Sequence, residues 1–124
     1  MISDIFHLIK HHDDAIHYDS FVVRVMAADV LDMDSAGDLR IFLRTLIGGG
    51  VTKIAVDMTG LDFIDSSGIG VLIEAAKHLR QHGGDIVLLA VPERVQVIVQ
   101  PVRLNRFIKM FDTLDEVKNF FRHI

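Results

Sequence analysis

Apolar residues recur along this chain with two different periods. In Lys53-Ile54-Ala55-Val56-Asp57-Met58-Thr59 they alternate, placing Ile54, Val56 and Met58 on one side, which predicts a half-buried strand. Phe21 to Ala27 is β-branched and apolar and predicts another. Asp85 to Val91 is almost wholly apolar, as expected of a strand covered on both faces in a parallel sheet. Elsewhere the spacing turns helical. Leu39, Phe42, Leu43, Leu46 and Ile47 share one helix face, preceded by a capping-box pattern at Ser35-Ala36-Gly37-Asp38 and ended by Gly48-Gly49-Gly50. Ile69, Leu72, Ile73, Ala76 and Leu79 do the same, with Glu74, Lys77, His78 and Gln81 facing away and Gly83-Gly84 as the stop. A last helix follows the capping box Thr113-Leu114-Asp115-Glu116, with Val117, Phe120, Phe121 and Ile124 on its apolar face.

Two stretches give mixed signals. Pro92-Glu93 resembles a helix start, yet Val95-Gln96-Val97-Ile98-Val99 has strand propensity, and Pro101 keeps either element short. Phe107 to Phe111 reads as a short final strand. The alternation of strands and helices predicts an α/β fold with mainly parallel pairing and right-handed crossovers.

With 124 residues and no linker-like or repeated tract, residues 1–124 are expected to form a single domain. No apolar run suits a membrane span, and the His-rich residues 1–17 lack the basic start and apolar block of an export signal. A cytoplasmic location is expected. Cysteine is absent, which excludes disulfides and thiolate metal sites. The formal charge of −4 and the scattered basic residues argue against nucleic acid and against stable membrane insertion. Proteins or small molecules are the expected partners.

The chemistry concentrates in Asp62-Phe63-Ile64-Asp65-Ser66-Ser67-Gly68-Ile69-Gly70, where a strand would end and the central helix begin. In parallel sheets this is where functional sites form. Ser66 or Asp65 would cap the helix, Ser67 would fill its first turn, and Gly68 and Gly70 would permit close packing. Alternatively, Ser66 is a phosphoacceptor, exposed at a helix N-terminus that tolerates a phosphate. Other chemistries fit poorly. Ser66 has Ile64 two residues before it, so the serine-hydrolase elbow is only half present. Gly68-x-Gly70 lacks the lysine of a P-loop and the third glycine of a dinucleotide turn. Asp57, Asp62 and Asp65 could in principle hold a hard cation, and His7/His11 and His78/His82 have zinc-compatible i, i+4 spacing. Strand-end, capping and polar-face roles explain them more simply, so neither a metal nor a cofactor is expected.

The block from Lys53 to Val99 resembles the STAS domain, the family of sulfate-transporter C-terminal domains and bacterial anti-sigma factor antagonists. The strand carrying Asp57, then Asp65-Ser66-Ser67-Gly68, then Gly83-Gly84 before Asp85 to Val91 are its most specific features. The tail from Leu104 to Phe121 resembles the family's close, and the likeness runs over roughly residues 20–123. It implies a mixed, mainly parallel sheet with about four helices packed mostly on one face, and no catalytic activity. In antagonists of this type the first serine of the signature is phosphorylated by an anti-sigma factor that is itself a serine kinase, and a PP2C-type phosphatase reverses this. Carried over, Ser66 is the phosphoacceptor, while Asp32, Asp62, Asp65, Ser67 and Gly68 belong to the partner-binding switch loops. Such a phosphoprotein regulates transcription indirectly, by partner switching. A non-switching STAS subunit, scaffolding a stress-signalling or lipid-transport assembly, and an anion binder at the helix N-terminus are the alternatives.

Overall fold

A computed structural model of the protein describes residues 6–10, 20–25 and 29–124. Among them are strands β1 (Phe6–Lys10), β2 (Ser20–Val25), β3 (Asp29–Leu31), β4 (Lys53–Asp57), β5 (Leu61–Ile64), β6 (Asp85–Leu89) and β7 (Met110–Phe111). The helices are α1 (Ala36–Gly48), α2 (Ser66–Arg80), α3 (Glu93–Val99) and α4 (Leu114–Arg122), with a 3₁₀ turn at Leu104–Arg106. Met26 and Ala27 of the expected first strand lie outside the described residues. So does the His7–Asp14 cluster, apart from the backbone that forms β1.

The main sheet runs in the order β1-β2-β4-β6-β7. Only the β1–β2 pairing is antiparallel; β2–β4, β4–β6 and β6–β7 are parallel. The expected mixed, mainly parallel sheet is therefore present. Alternation along the strands decides which helices lie where. Val23, Ile54, Val56, Ile86 and Leu88 face a large core shared with α1, α2 and α3. Their neighbours Val22, Ala55, Val87 and Leu89 face Val117 and Phe121 of α4. Three helices thus cover one face and one covers the other, which explains why every residue of β6 is buried. Each large aliphatic side chain removed from water in this way contributes about 1.5–3 kcal/mol.

Gly84 closes the sheet. A Cβ there would lie 1.8 Å from the Thr52 carbonyl oxygen, so no other residue lets β6 enter beside β4. Gly83 precedes it at φ +78°, a left-handed conformation suited to ending a helix.

One mixed signal is resolved and two local expectations are revised. The stretch from Pro92 is helical: Pro92 occupies the N-cap and Val95 and Val99 are buried at i, i+4 spacing, while Val97 is left exposed. A one-sided core outweighs strand propensity here. The last strand is only Met110–Phe111, because Leu88 and Leu89 are the β6 positions it pairs with. At the start of α1 the Ser35 capping box does not form. Ser35 already has helical backbone angles, φ −100° and ψ −16°, whereas a capping side chain needs an extended residue.

Candidate functional site

β3 and β5 form a separate parallel pair, with Val30 opposite Phe63 and Leu31 opposite Ile64. This pairing sets two strand-to-helix junctions side by side, β3 to α1 and β5 to α2. The Asp65 backbone N–H donates to the Leu31 carbonyl at 3.0 Å and ties them together.

At the second junction Asp65 is extended, and its Oδ1 accepts from the Ser67 N–H at 2.8 Å and the Gly68 N–H at 3.3 Å. Asp65, not Ser66, is therefore the cap. A carboxylate does this better than a hydroxyl, because its charge also complements the helix dipole. Ser66 becomes the first helical residue. It is exposed, and its hydroxyl has no hydrogen-bond partner among the described residues. Ser67 is half-buried and Gly68 buried. A Cβ on Gly68 would stand 2.8 Å from the Leu31 carbonyl oxygen and 2.9 Å from the Ile64 side chain, so the helix start lies directly on β3 and β5. Gly70 has no such constraint: its Cβ would meet nothing within 4 Å. The close-packing role expected of both glycines belongs to Gly68 alone.

At the first junction Asp32 folds its own loop. Its Oδ1 accepts from the Asp34 and Ser35 N–H groups at 3.0 and 3.1 Å, while the Ser35 hydroxyl donates to the Val30 carbonyl at 2.7 Å. Asp62 is half-exposed and pairs with Arg94 of α3 at 3.1 Å. Arg94 also donates to the Leu61 carbonyl, pinning α3 to β5. Asp57 accepts from the Thr59 N–H and hydroxyl and faces Arg24 at 3.7 Å. The three acids considered for a cation thus serve three separate structural tasks, and no metal-ligating cluster occurs among the described residues. The rings of His78, on α2, and His82, in the turn just after it, lie 5.3 Å apart.

Sequence reasoning missed the apolar part of this surface. Val30 and Phe63, paired across β3 and β5, are 39% and 43% exposed, and Met33, in the loop after β3, is 79% exposed. Their signal was an apolar residue set between acids, as in Asp32-Met33-Asp34 and Asp62-Phe63. That pattern reads equally well as a solvated turn. Exposed apolar side chains on the strand pair that Asp65 ties to the start of α2 make a surface suited to binding a protein.

The STAS domain family model matches residues 8–117. A candidate anti-sigma factor antagonist of Thermotoga neapolitana is 31% identical over 67 residues, covering 54% of this chain and 59% of that protein. The chain therefore matches somewhat under two thirds of this relative's length. Among solved structures, the anti-sigma factor antagonist SpoIIAA in its unphosphorylated form superposes with a TM-score of 0.76 at 26% identity, covering 96% of this chain and 97% of that one. The Bacillus cell fate determinant SpoIIAA in its phosphorylated form gives 0.66 at 25% identity, covering 93% and 97%. The family match spans most of the chain and SpoIIAA shares its fold over nearly the whole length, and the chain belongs to the STAS domain family.

Proposed function

We propose that this protein is an anti-sigma factor antagonist that works by partner switching, with Ser66 as the phosphoacceptor. The observation carrying the reading is the division of labour at the start of α2. Asp65 takes the cap, which leaves Ser66 exposed at a helix start that the Asp65–Leu31 bond ties to the β3/β5 pair carrying the exposed Val30 and Phe63. In the unphosphorylated state this surface holds an anti-sigma factor and so releases a sigma factor. The anti-sigma factor, acting as a serine kinase, passes the γ-phosphoryl of ATP to Ser66 Oγ, whose proton leaves to a base on the kinase. ADP is the by-product. A PP2C-type phosphatase hydrolyses the ester and resets the switch. The chain itself acts by binding, without catalysis of its own, and works in the cytoplasm.

The Ser67 and Gly68 amides already bond to Asp65. A phosphate on Ser66 meets a helix N-terminus whose cap Asp65 already fills, so most of its charge stays at the surface as a dianion beside Asp65. The helix survives, since negative charge in its first turn is favourable. The partner must instead desolvate that charge next to an apolar patch, and it dissociates. SpoIIAA, to which this chain is similar, has been solved in both an unphosphorylated and a phosphorylated form, which supports the reading. Incubation with the cognate kinase and ATP tests the assignment: mass spectrometry should find one phosphate on the Ser66 peptide of the wild type and none on Ser66→Ala. Equal phosphorylation of Ser66→Ala would overturn it.

A further inference from the structure

Residues 94–111 contain Arg94, Arg103, Arg106 and Lys109 and no acid, on a chain whose 17 acids outnumber its 13 Lys and Arg. Two of these cations are occupied. Arg94 pairs with Asp62, and Lys109 lies over the Phe120 ring at 5.7 Å. Arg103 and Arg106 are exposed, and their side chains neither hydrogen-bond nor pair with any described residue. The same segment leaves Val97, Val102 and Phe107 each more than half exposed. Bonds from the Arg103 N–H to the Gln100 carbonyl and from the Phe107 N–H to the Leu104 carbonyl fold it into consecutive turns after α3.

Arg103 is strained as well as unpaired. It stands at φ 56° and ψ 44°, the left-handed region, which is unfavourable for an L side chain and open to glycine. Glycine would serve this turn better, so the fold does not account for an arginine there. A strained residue that the fold does not need points to use of its side chain. A guanidinium held out in a run of exposed apolar groups suits a surface that is both acidic and apolar.

The chain carries such a surface itself, at the β3 and β5 junctions. Residues 29–38 and 57–65 hold seven acids and no Lys or Arg, and Val30, Met33 and Phe63 are exposed among them. The Asp34 and Asp38 side chains have no partner among the described residues. The one ion pair printed between the two regions is Arg94 to Asp62, so Arg103 and Arg106 do not meet these acids within one molecule. Between molecules the two regions are complementary twice over, in charge and in exposed apolar surface. A lipid surface fits less well, because two free cations fall short of the cluster of about four to eight that anionic membranes select.

We infer that the segment from Val97 to Phe107 binds a second copy of this chain, on the acidic and apolar surface of the β3 and β5 junctions. A copy seated there covers the start of α2, so self-association and capture of an anti-sigma factor exclude each other. That consequence rests on the proposed function, whereas the association is measured without any partner. Sedimentation equilibrium of the chain from about 10 µM to about 1 mM reads it directly. The average mass should rise with concentration above the 13.9 kDa of one copy. The association should weaken at least about fivefold between about 0.05 M and about 0.5 M NaCl. Arg103→Asp with Arg106→Asp, and separately Asp34→Arg with Asp38→Arg, should each associate at least about tenfold more weakly. Mixed in equal amounts, the two reversed variants should associate again, because each offers the other its complement. Arg103→Gly, relieved of the left-handed strain, should melt no lower than the wild type and still associate at least about threefold more weakly, which carries the test if the reversed variants fail to fold. A chain that stays at 13.9 kDa throughout would overturn the inference. So would an association indifferent to salt, a mixture of folded reversed variants that remains monomeric, or any of these variants, folded, associating as the wild type does.

Discussion

Two glycines two residues apart separate packing from propensity. Gly68→Ala forces a methyl against the Leu31 backbone, where the contact cannot yield as a flexible side chain would. Urea titration should show a loss of about 1–3 kcal/mol. Gly70→Ala adds a methyl in open space on an exposed helical position and should gain about 0.5–1 kcal/mol. The sequence marked Asp65, Ser66, Ser67 and Gly68 as one group because small polar residues between apolar segments mark junctions. It did not distinguish the roles of Ser66 and Asp65, since both residue types cap helices equally well by rule. Their assignment depended on where β3 lies, through the bond from Asp65 to Leu31, and that neighbour is distant in sequence.

At the scale of elements, the ionic contacts at Asp85 and at Glu74 both fasten α2, and they should behave differently. Arg80 at the end of α2 meets Asp85 at 3.0 Å, and Asp85 has a side chain only 12% exposed. Arg80 also donates to the Phe107 carbonyl. Arg80→Ala leaves a nearly buried carboxylate without its cation and should cost about 1–3 kcal/mol in thermal or urea unfolding. The Glu74 pair joins α1 to α2 at the surface. Arg44, through its hydrogen bond, and Arg40 beside it hold the Glu74 carboxyl below the usual carboxylate range. A depressed carboxyl stabilises the fold above its unfolded pKa, about 4.3. That contribution is lost as pH falls through the lower folded value. Being half-exposed, the pair is worth at most about 1 kcal/mol. Glu74→Gln should therefore lower stability slightly at pH 7 and match the wild type in strong acid. Most elements were legible because their apolar periods were clean. The exceptions share one cause: Pro92 to Gln100, Phe107 to Phe111 and Ser35 took their form from neighbours that no local pattern reports.

The whole molecule places its two chemically distinct regions on different parts of one helical layer. The Ser66 junction stands at the N-terminal end of α2, while a groove rimmed by Arg40, Arg44 and Lys77 runs between α1 and the middle and C-terminal part of α2. The α/β class followed from element order and the two-sided cover of β6 from its apolar run, whereas the packing of helices mostly on one face was expected only from the family resemblance. The apolar surface of Val30, Met33 and Phe63 was not legible, because exposure of an apolar residue is a property of the assembled surface. Among the described residues no helix is long and apolar enough to cross a membrane.

The central claim is that charge at Ser66 acts on a partner while leaving the fold intact. Because Asp65 holds the cap, Ser66→Asp adds only a favourable first-turn acid and should melt within a few degrees of the wild type. The most direct measurement is the affinity of the cognate anti-sigma factor for wild type, Ser66→Ala and Ser66→Asp, read by calorimetry. The account predicts that Ser66→Ala binds within about threefold of the wild type and that Ser66→Asp, still folded, binds at least about tenfold more weakly. A folded Ser66→Asp that binds the anti-sigma factor as tightly as the wild type would contradict it.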